Sequence, residues 1–349
     1  MSPLLRRLAK GVGYTLGYVL VLVVCTYLTL PLERVRSRLV AEFNANQGEG
    51  DGRLEVASLG TYRVSGLRAE GVKLSWPAPA ASDGAKAPKP RALEIEEVRV
   101  RAAILGLLVG TLELSFDARL GAGELTGMTS DAGGGRAVKL ELRAVPLGDV
   151  PALENVAAGI PIRGTLSGTV DLRFPEQKLA KAEGEVKLAI QGLILGDGKT
   201  KVKDTMVVPA VAAGDLELEA SATDGRLTIT KLASQGKDLS LSAEGKVRLR
   251  DPFASSLAEL TLVLTPSAAL MDRDEKTQAL FGTATAGGTQ RFGGLLDLDP
   301  KVKRAKRPDG GYAFRLTGPL SKPVFEPAPA IGAAPSPARR APLGAARAP

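Results

Sequence analysis

Residues 216–250 read LELEASATDGRLTITKLASQGKDLSLSAEGKVRLR, and their period decides the fold. Leu216, Leu218 and Ala220 alternate with Glu217, Glu219 and Ser221. Asp224-Gly225 then makes a two-residue hairpin turn, after which Leu227 and Ile229 alternate with Arg226, Thr228 and Thr230. Leu239, Leu241 and Ala243 follow against Ser240, Ser242 and Glu244, and Val247 and Leu249 against Lys246, Arg248 and Arg250. A period of two puts every second side chain on one side of a sheet. The stretch therefore predicts four short antiparallel strands, apolar on one face and wet on the other. The apolar set Leu216, Leu218, Leu227, Ile229, Leu239, Leu241, Val247 and Leu249 is the candidate groove or core, and alternation alone does not separate the two.

The same grammar extends toward the N-terminus. Leu54–Trp76, Leu93–Arg101, Leu112–Leu120, Val138–Arg143, Gly164–Phe174 and Ala182–Ile190 hold alternating runs punctuated by glycine. Glycine at strand starts suits bends and bulges in a strongly twisted sheet. Helical signals are sparse. Leu32, Val35, Leu39 and Phe43 share a face of one short helix, residues 150–158 form a weak second, and Pro266 to Phe281 reads as a third ended by Gly282. Asn44–Gly52 is a turn-rich break, Pro77–Pro90 a Pro/Ala loop, and Pro327–Pro349 a Pro/Ala/Arg tail without periodicity. The loop and the tail are expected to be disordered.

Residues 12–30, VGYTLGYVLVLVVCTYLTL, carry no charge and are long enough for one helix across a bilayer. Tyr14, Tyr18 and Tyr27 lie toward the ends, where amphipathic rings prefer the interface. The run exceeds a signal-peptide core, and Pro31-Leu32-Glu33-Arg34 offers no small-x-small cleavage site. The expected layout is a cytoplasmic tail over 1–10, an anchor over 11–31 and a β-rich domain over 32–326 on the far side. Arg6, Arg7 and Lys10 before the helix are matched by Arg34, Arg36 and Arg38 after it, so the charge bias does not orient it. The length of the following domain does. The fold class expected is all-β: a single transmembrane helix, then an elongated, twisted, mainly antiparallel sheet with one or two short helices.

Composition narrows the chemistry. The 349 residues include no histidine and one cysteine, Cys25, which lies in the apolar run. That removes the commonest general base, the commonest metal ligand and any intrachain disulfide. The net charge of +8 gathers at the N-terminus, at Lys301, Lys303, Arg304, Lys306 and Arg307, and at Arg339, Arg340 and Arg347. No basic stripe interleaved with aromatics appears, so no nucleic-acid partner is expected. Glu96-Glu97 are adjacent on a strand, so one must face solvent and they form no shared-proton dyad. Asp272, Asp274 and Glu275 read as a solvated helix face. Gly196-Asp197-Gly198-Lys199-Thr200 lacks the spacing of a phosphate loop and reads as a hairpin turn. Gly133-Gly134-Gly135 fails the dinucleotide pattern. No catalytic residue, metal or cofactor is expected.

Several stretches in order resemble the protein N family of the type II secretion system. They are the anchor, LEIEEVRV (93–100) leading to ILGLL (104–108), GAGELTG (121–127), LGDVP (147–151), GTLSG (164–168) and FRLTGPLSKP (314–323). The strand grammar and the closing Gly318-Pro319-Leu320 also look like the AsmA-like envelope proteins. The resemblance implies an inner-membrane protein with the bulk of its chain in the periplasm. Its role would be that of a non-enzymatic accessory in exporting folded proteins, with other secretion components as partners. The AsmA-like texture implies an alternative, a module that binds or transfers phospholipid between membranes. Neither family supplies catalytic residues to carry over.

Overall fold

The computed structural model describes residues 31–46, 52–63, 65–76, 91–103, 106, 110–149, 160–198, 201–202, 206–207, 209–284, 291–321 and 323–328, with Tyr14, Gly17, Tyr18, Val21, Leu22, Cys25 and Thr29. Most of the expected anchor, the 77–90 loop, the 150–158 helix and the tail from 329 onward lie outside the described residues. Among those described, no helix is long and apolar enough to cross a membrane. The described chain is dominated by antiparallel β-sheet. It divides into two compact units, Met1–Arg101 and Ala102–Pro349.

The first unit holds helix α1 (Leu32–Ala45) and strands β1 (Arg53–Tyr62), β2 (Gly66–Trp76) and β3 (Arg91–Ala102), paired as an antiparallel meander. The helix runs two residues further than the sequence suggested, through Asn44 and Ala45. Leu39 is exposed while Val40 is half-buried, so the packed face is turned slightly from the expected one. The Asn44 amide donates to the Leu54 carbonyl (3.1 Å) and accepts from the Leu54 N–H (2.8 Å). Arg36 donates to the carbonyls of Val56 and Ala57 at 3.1 and 2.5 Å. Helix side chains thus take up outer backbone groups of β1, which among the described residues pairs only with β2.

The second unit is built on eleven strands in one antiparallel sequence. They are β4 (Leu112–Leu120), β5 (Gly123–Ala132), β6 (Gly135–Pro146), β7 (Ile162–Phe174) and β8 (Glu183–Leu195), then β11 (Val211–Thr223), β12 (Arg226–Gln235), β13 (Leu239–Arg248) and β14 (Leu257–Pro266), and finally β17 (Tyr312–Pro319) and β18 (Val324–Pro327). The short pairs β9 (Lys201–Val202) with β10 (Met206–Val207), and β15 (Thr283–Ala284) with β16 (Arg291–Phe292), stand apart from it. The Asp224-Gly225 hairpin is present, with φ of 47° and 67° as a type I′ turn requires.

Four strands were expected over 216–250, and there are three. The last two runs are one strand, β13, continuous through Gly245 at φ 136°. A side chain is strained at that angle, and glycine lets the strand bend there without breaking. Gly196–Gly198 is not a tight hairpin turn either. It leaves β8 for a connection that carries β9 and β10 before β11 begins. β14 and β17 went unread as strands, although LTLVLT (260–265) and YAFRLT (312–317) hold the inward period.

The helical region after β14 is two helices, α2 (Ala268–Met271) and α3 (Glu275–Phe281). The break falls at Asp272–Asp274 because Asp274 starts a new helix. Its carboxylate accepts from the Thr277 N–H (2.8 Å), and its own N–H donates to the Thr277 hydroxyl (3.1 Å), a reciprocal capping box. That hydrogen bond from the Thr277 backbone holds the Asp274 carboxyl below its usual range. A final helix, α4 (Pro300–Ala305), follows a 3-10 turn at Leu295–Leu298.

Candidate functional site

The sheet of the second unit has one apolar face, and strand register shows it as continuous rows. Leu140 pairs with Val170, Val170 with Val186, Val186 with Ala220 and Ala220 with Ile229. The row goes on through Gly245, Leu260 and Leu316. A parallel row runs Leu125, Leu142, Gly168, Leu188, Leu218 and Leu232, and reaches Leu262 and Phe314 on the far strands. Every rung of both rows is apolar or glycine. At about 4.8 Å per strand, the eight strands of the first row and the nine spanned by the second make the rows roughly 35–40 Å long.

Keeping that face apolar takes backbone irregularities. In β12 the inward residues are Ile229 and then Leu232, a step of three, and the register slips there against both neighbours. The Thr230 hydroxyl donates to the Glu219 carbonyl at 3.0 Å beside this bulge. β6 makes the same step from Leu142 to Val145, with Ala144 at φ 50°, and β8 steps from Ile190 to Leu193 across Gly192 at φ 60°. Each bulge moves the next apolar side chain back onto the shared face.

Burial separates the ends of the strands from their middles. Toward one end of the strands, Leu193, Ala213 and Leu239 are buried with Ile190, Leu195, Leu216 and Leu264 around them. Beside them Leu270, Met271, Leu280 and Phe281 of α2 and α3 close over Tyr312 and Phe314. Toward the other end, Ala182, Val247, Leu249 and Ala258 are buried against Phe174, Leu179 and Leu320. Between these two closed margins no side chain larger than alanine in the two rows is buried, although at their far end Leu260 and Leu316 pack on the second margin and Phe314 on the first. The geometry is a trough with packed margins and a half-open apolar floor.

The eight residues singled out from sequence fall on this one side, and they divide. Leu239, Val247 and Leu249 are buried in the margins. Leu216 and Leu227 are half-buried beside them. Leu218, Ile229 and Leu241 are half-buried as well, but belong to none of the buried clusters. Sequence reasoning missed the share of the floor given by β5–β8, notably Leu140, Val170, Val186 and Leu188. The signal was present as alternation, but bulges and glycines hid that the runs belong to one surface.

The opposite face is polar and carries both signs. Lys139 pairs with Asp171 across strands at 3.0 Å, Lys187 with Glu185 at 2.7 Å, Arg143 with Glu141 at 2.7 Å, and Lys231 with Glu217. Hydrogen bonds to those carboxylates raise the pKa of Arg143, Lys187 and Lys231. A shallow recess of about 310 Å³ on this face lies among Asp171, Arg173, Glu183, Gly184 and Glu185. In the first unit Glu96 is exposed and Glu97 is buried, salt-bridged to Arg99 (2.8 Å) and to Arg68. Arg99 in turn stacks 5.3 Å from the Tyr62 ring centroid. This network satisfies a buried charge. Among the described residues, no three His, Cys, Asp or Glu side chains are grouped to hold a metal. Compared with known proteins, the chain matches no family model, no curated protein and no solved structure.

Proposed function

We propose that this is a non-catalytic, membrane-anchored envelope protein that holds the hydrocarbon chains of phospholipid along its sheet. The observation that carries this reading is the half-open floor. A monomeric sheet normally closes its apolar face into a core, because each buried side chain of leucine size contributes about 1.5–3 kcal/mol. Here the margins close and the middle does not, over rows that cross eight and nine strands. Contiguous apolar surface that is only half-buried over that extent suits a binding site. A long, narrow, uncharged floor suits acyl chains, while the paired charges on the other face suit water. Residues 12–30 supply the anchor, and placement in the periplasm with a short cytoplasmic tail completes the proposal.

The test is site-specific photocrosslinking in intact cells of the double-membraned type. A photoreactive side chain is placed at Ile229 or Val170 on the floor, and at Thr228 or Lys187 on the polar face. Lipid adducts from the floor positions and not from the polar ones are the expected result. Adducts from neither face, or equally from both, would remove the lipid reading.

The ordered stretches from Leu93 to Pro323 favour a second reading, an accessory role in type II secretion. Four of these stretches lie largely on β3, β5, β7 and β17, so they describe the sheet as much as they describe the export task. Deletion of the protein with assay of secreted hydrolases decides it: unchanged secretion rules the role out.

A further inference from the structure

The basic run at 301–307 is not part of the trough, yet the fold presents it in a particular way. The 3-10 turn Leu295–Leu298 and helix α4 form one short surface segment between β16 and β17. Its inner side is fixed. Leu296 and Val302 pack against the buried cluster of Leu270, Met271, Leu280, Phe281 and Tyr312, and Ala305 is buried. The Lys306 ammonium holds both oxygens of Asp297 at 3.1 and 3.3 Å, with both side chains largely out of water. The Asp299 carboxylate caps α4 by accepting from the Lys301 N–H at 2.8 Å. Arg307 faces Asp309 at 3.4 Å.

What these contacts leave outward is the informative part. Leu298 is 76% exposed and Leu295 49% exposed, the former the most exposed leucine among the described residues. Lys301, Lys303 and Arg304 are exposed on the same segment; the Arg304 Nε donates to the Pro300 carbonyl at 3.0 Å, and among the described residues no salt bridge holds any of the three. Two exposed leucines are unfavourable in water, and three exposed cations lie on the same short segment. They match the boundary of an anionic bilayer, where leucine enters the acyl region and long basic side chains reach the phosphates.

We propose that the segment Leu295–Arg304 is a membrane-docking surface for anionic phospholipid. Leu295 and Leu298 insert, and Lys301, Lys303 and Arg304 contact headgroup phosphates. The occupant is a lipid surface because exposed leucines and exposed cations coincide on one short segment whose inner side is held by Leu296, Val302 and Ala305. The inference goes beyond the trough and does not depend on its holding lipid. It would set the α2–α3 end of the second unit against a bilayer.

The experiment uses the full-length protein in nanodiscs of phosphatidylcholine alone, mixed with fluorescent vesicles. One vesicle set is pure phosphatidylcholine, and the other carries about one third phosphatidylglycerol. Recruitment of the anionic set is expected, with the neutral set far weaker. Removing three charges by the triple change Lys301→Ser, Lys303→Ser, Arg304→Ser should weaken recruitment on the order of 100-fold, at roughly tenfold or less per cation. The pair Leu295→Ser, Leu298→Ser should weaken it with the charges intact. All these side chains face outward, so an unchanged thermal melt is the control for folding. Recruitment that both variants leave intact overturns the proposal. So does an absence of recruitment, or capture of a protein at this segment in native envelopes with no vesicle binding. Crosslinking at Ile229 reads the trough separately, so either proposal can fail without the other.

Discussion

At the scale of single residues, the sheet depends on positions where a side chain cannot be accommodated. Gly184 in β8 has φ 135°, and a β-carbon built there would overlap the backbone carbonyl of Asp171 on β7. Alternation marks Gly184 only as a gap in an apolar row. The close approach of β7 that forbids a methyl group is a fact of tertiary coiling, which no local pattern encodes. Gly184→Ala is therefore expected to destabilise the protein by at least about 2 kcal/mol, from backbone strain and displacement of β7 together. Chemical denaturation followed by far-ultraviolet circular dichroism measures it, and a loss under about 0.5 kcal/mol would show that β7 simply moves aside. Tyr312 is the other telling residue. Burial among Leu270, Met271 and Phe281, together with nearby Asp297, pushes its hydroxyl up to about 12. A phenol whose folded pKa lies above its unfolded value near 10 favours folding fully below pH 10, and that contribution is lost as pH rises through 12. The melting temperature should therefore fall across that window, and Tyr312→Phe should flatten the fall. An equal fall in the variant would assign it to other groups.

Elements were legible wherever one period ran unbroken. β4 begins and ends as its alternation predicts, Leu112–Leu120, and the Asp224-Gly225 hairpin sits where the dipeptide requires. Boundaries were lost where the period slipped, as at Ile229–Leu232, or where a polar residue served the backbone in place of solvent. Asn44 shows the second case. It reads as a turn former after a helix, yet it stays helical and pairs with both backbone groups of Leu54. The consequence concerns β1 as an element, since an edge strand with free N–H and C=O groups is a template for pairing. Arg36 and Asn44 together keep part of that edge occupied. Asn44→Ala should cost about 1–3 kcal/mol by leaving the Leu54 groups unpaired. The double change with Arg36→Ala should also promote self-association, read by light scattering on the detergent-solubilised protein. A doubly substituted protein that keeps wild-type mass would mean that the edge is guarded by something other than α1.

At the scale of the whole sheet, the question alternation left open was whether the apolar side is a core or an open groove. Period two gives the side and says nothing of what lies above it, because the covering pieces come from the ends of the strands: α2, α3, and the 3-10 turn at Leu179–Lys181 with Phe174 and Ala182. Those pieces reach the margins, and the floor between them stays half-exposed. Stability measurements can read this division directly. Leu270 is 1% exposed in the margin, so Leu270→Ala should cost about 2–5 kcal/mol, the range for truncating a packed leucine. Ile229 on the floor already spends part of its surface in water, so Ile229→Ala removes less buried area and should cost closer to about 1 kcal/mol. The contrast should narrow when phospholipid is added, because an acyl chain lying on Ile229 completes its burial and ligand binding adds to the stability of the folded state. Comparable losses at Ile229 and Leu270 in lipid-free protein would show that the floor is already covered, most simply by a second copy of the chain. A small loss at Ile229 that lipid leaves unchanged would keep the trough open but empty. Only a small loss that grows with lipid fits a floor built to hold hydrocarbon chains.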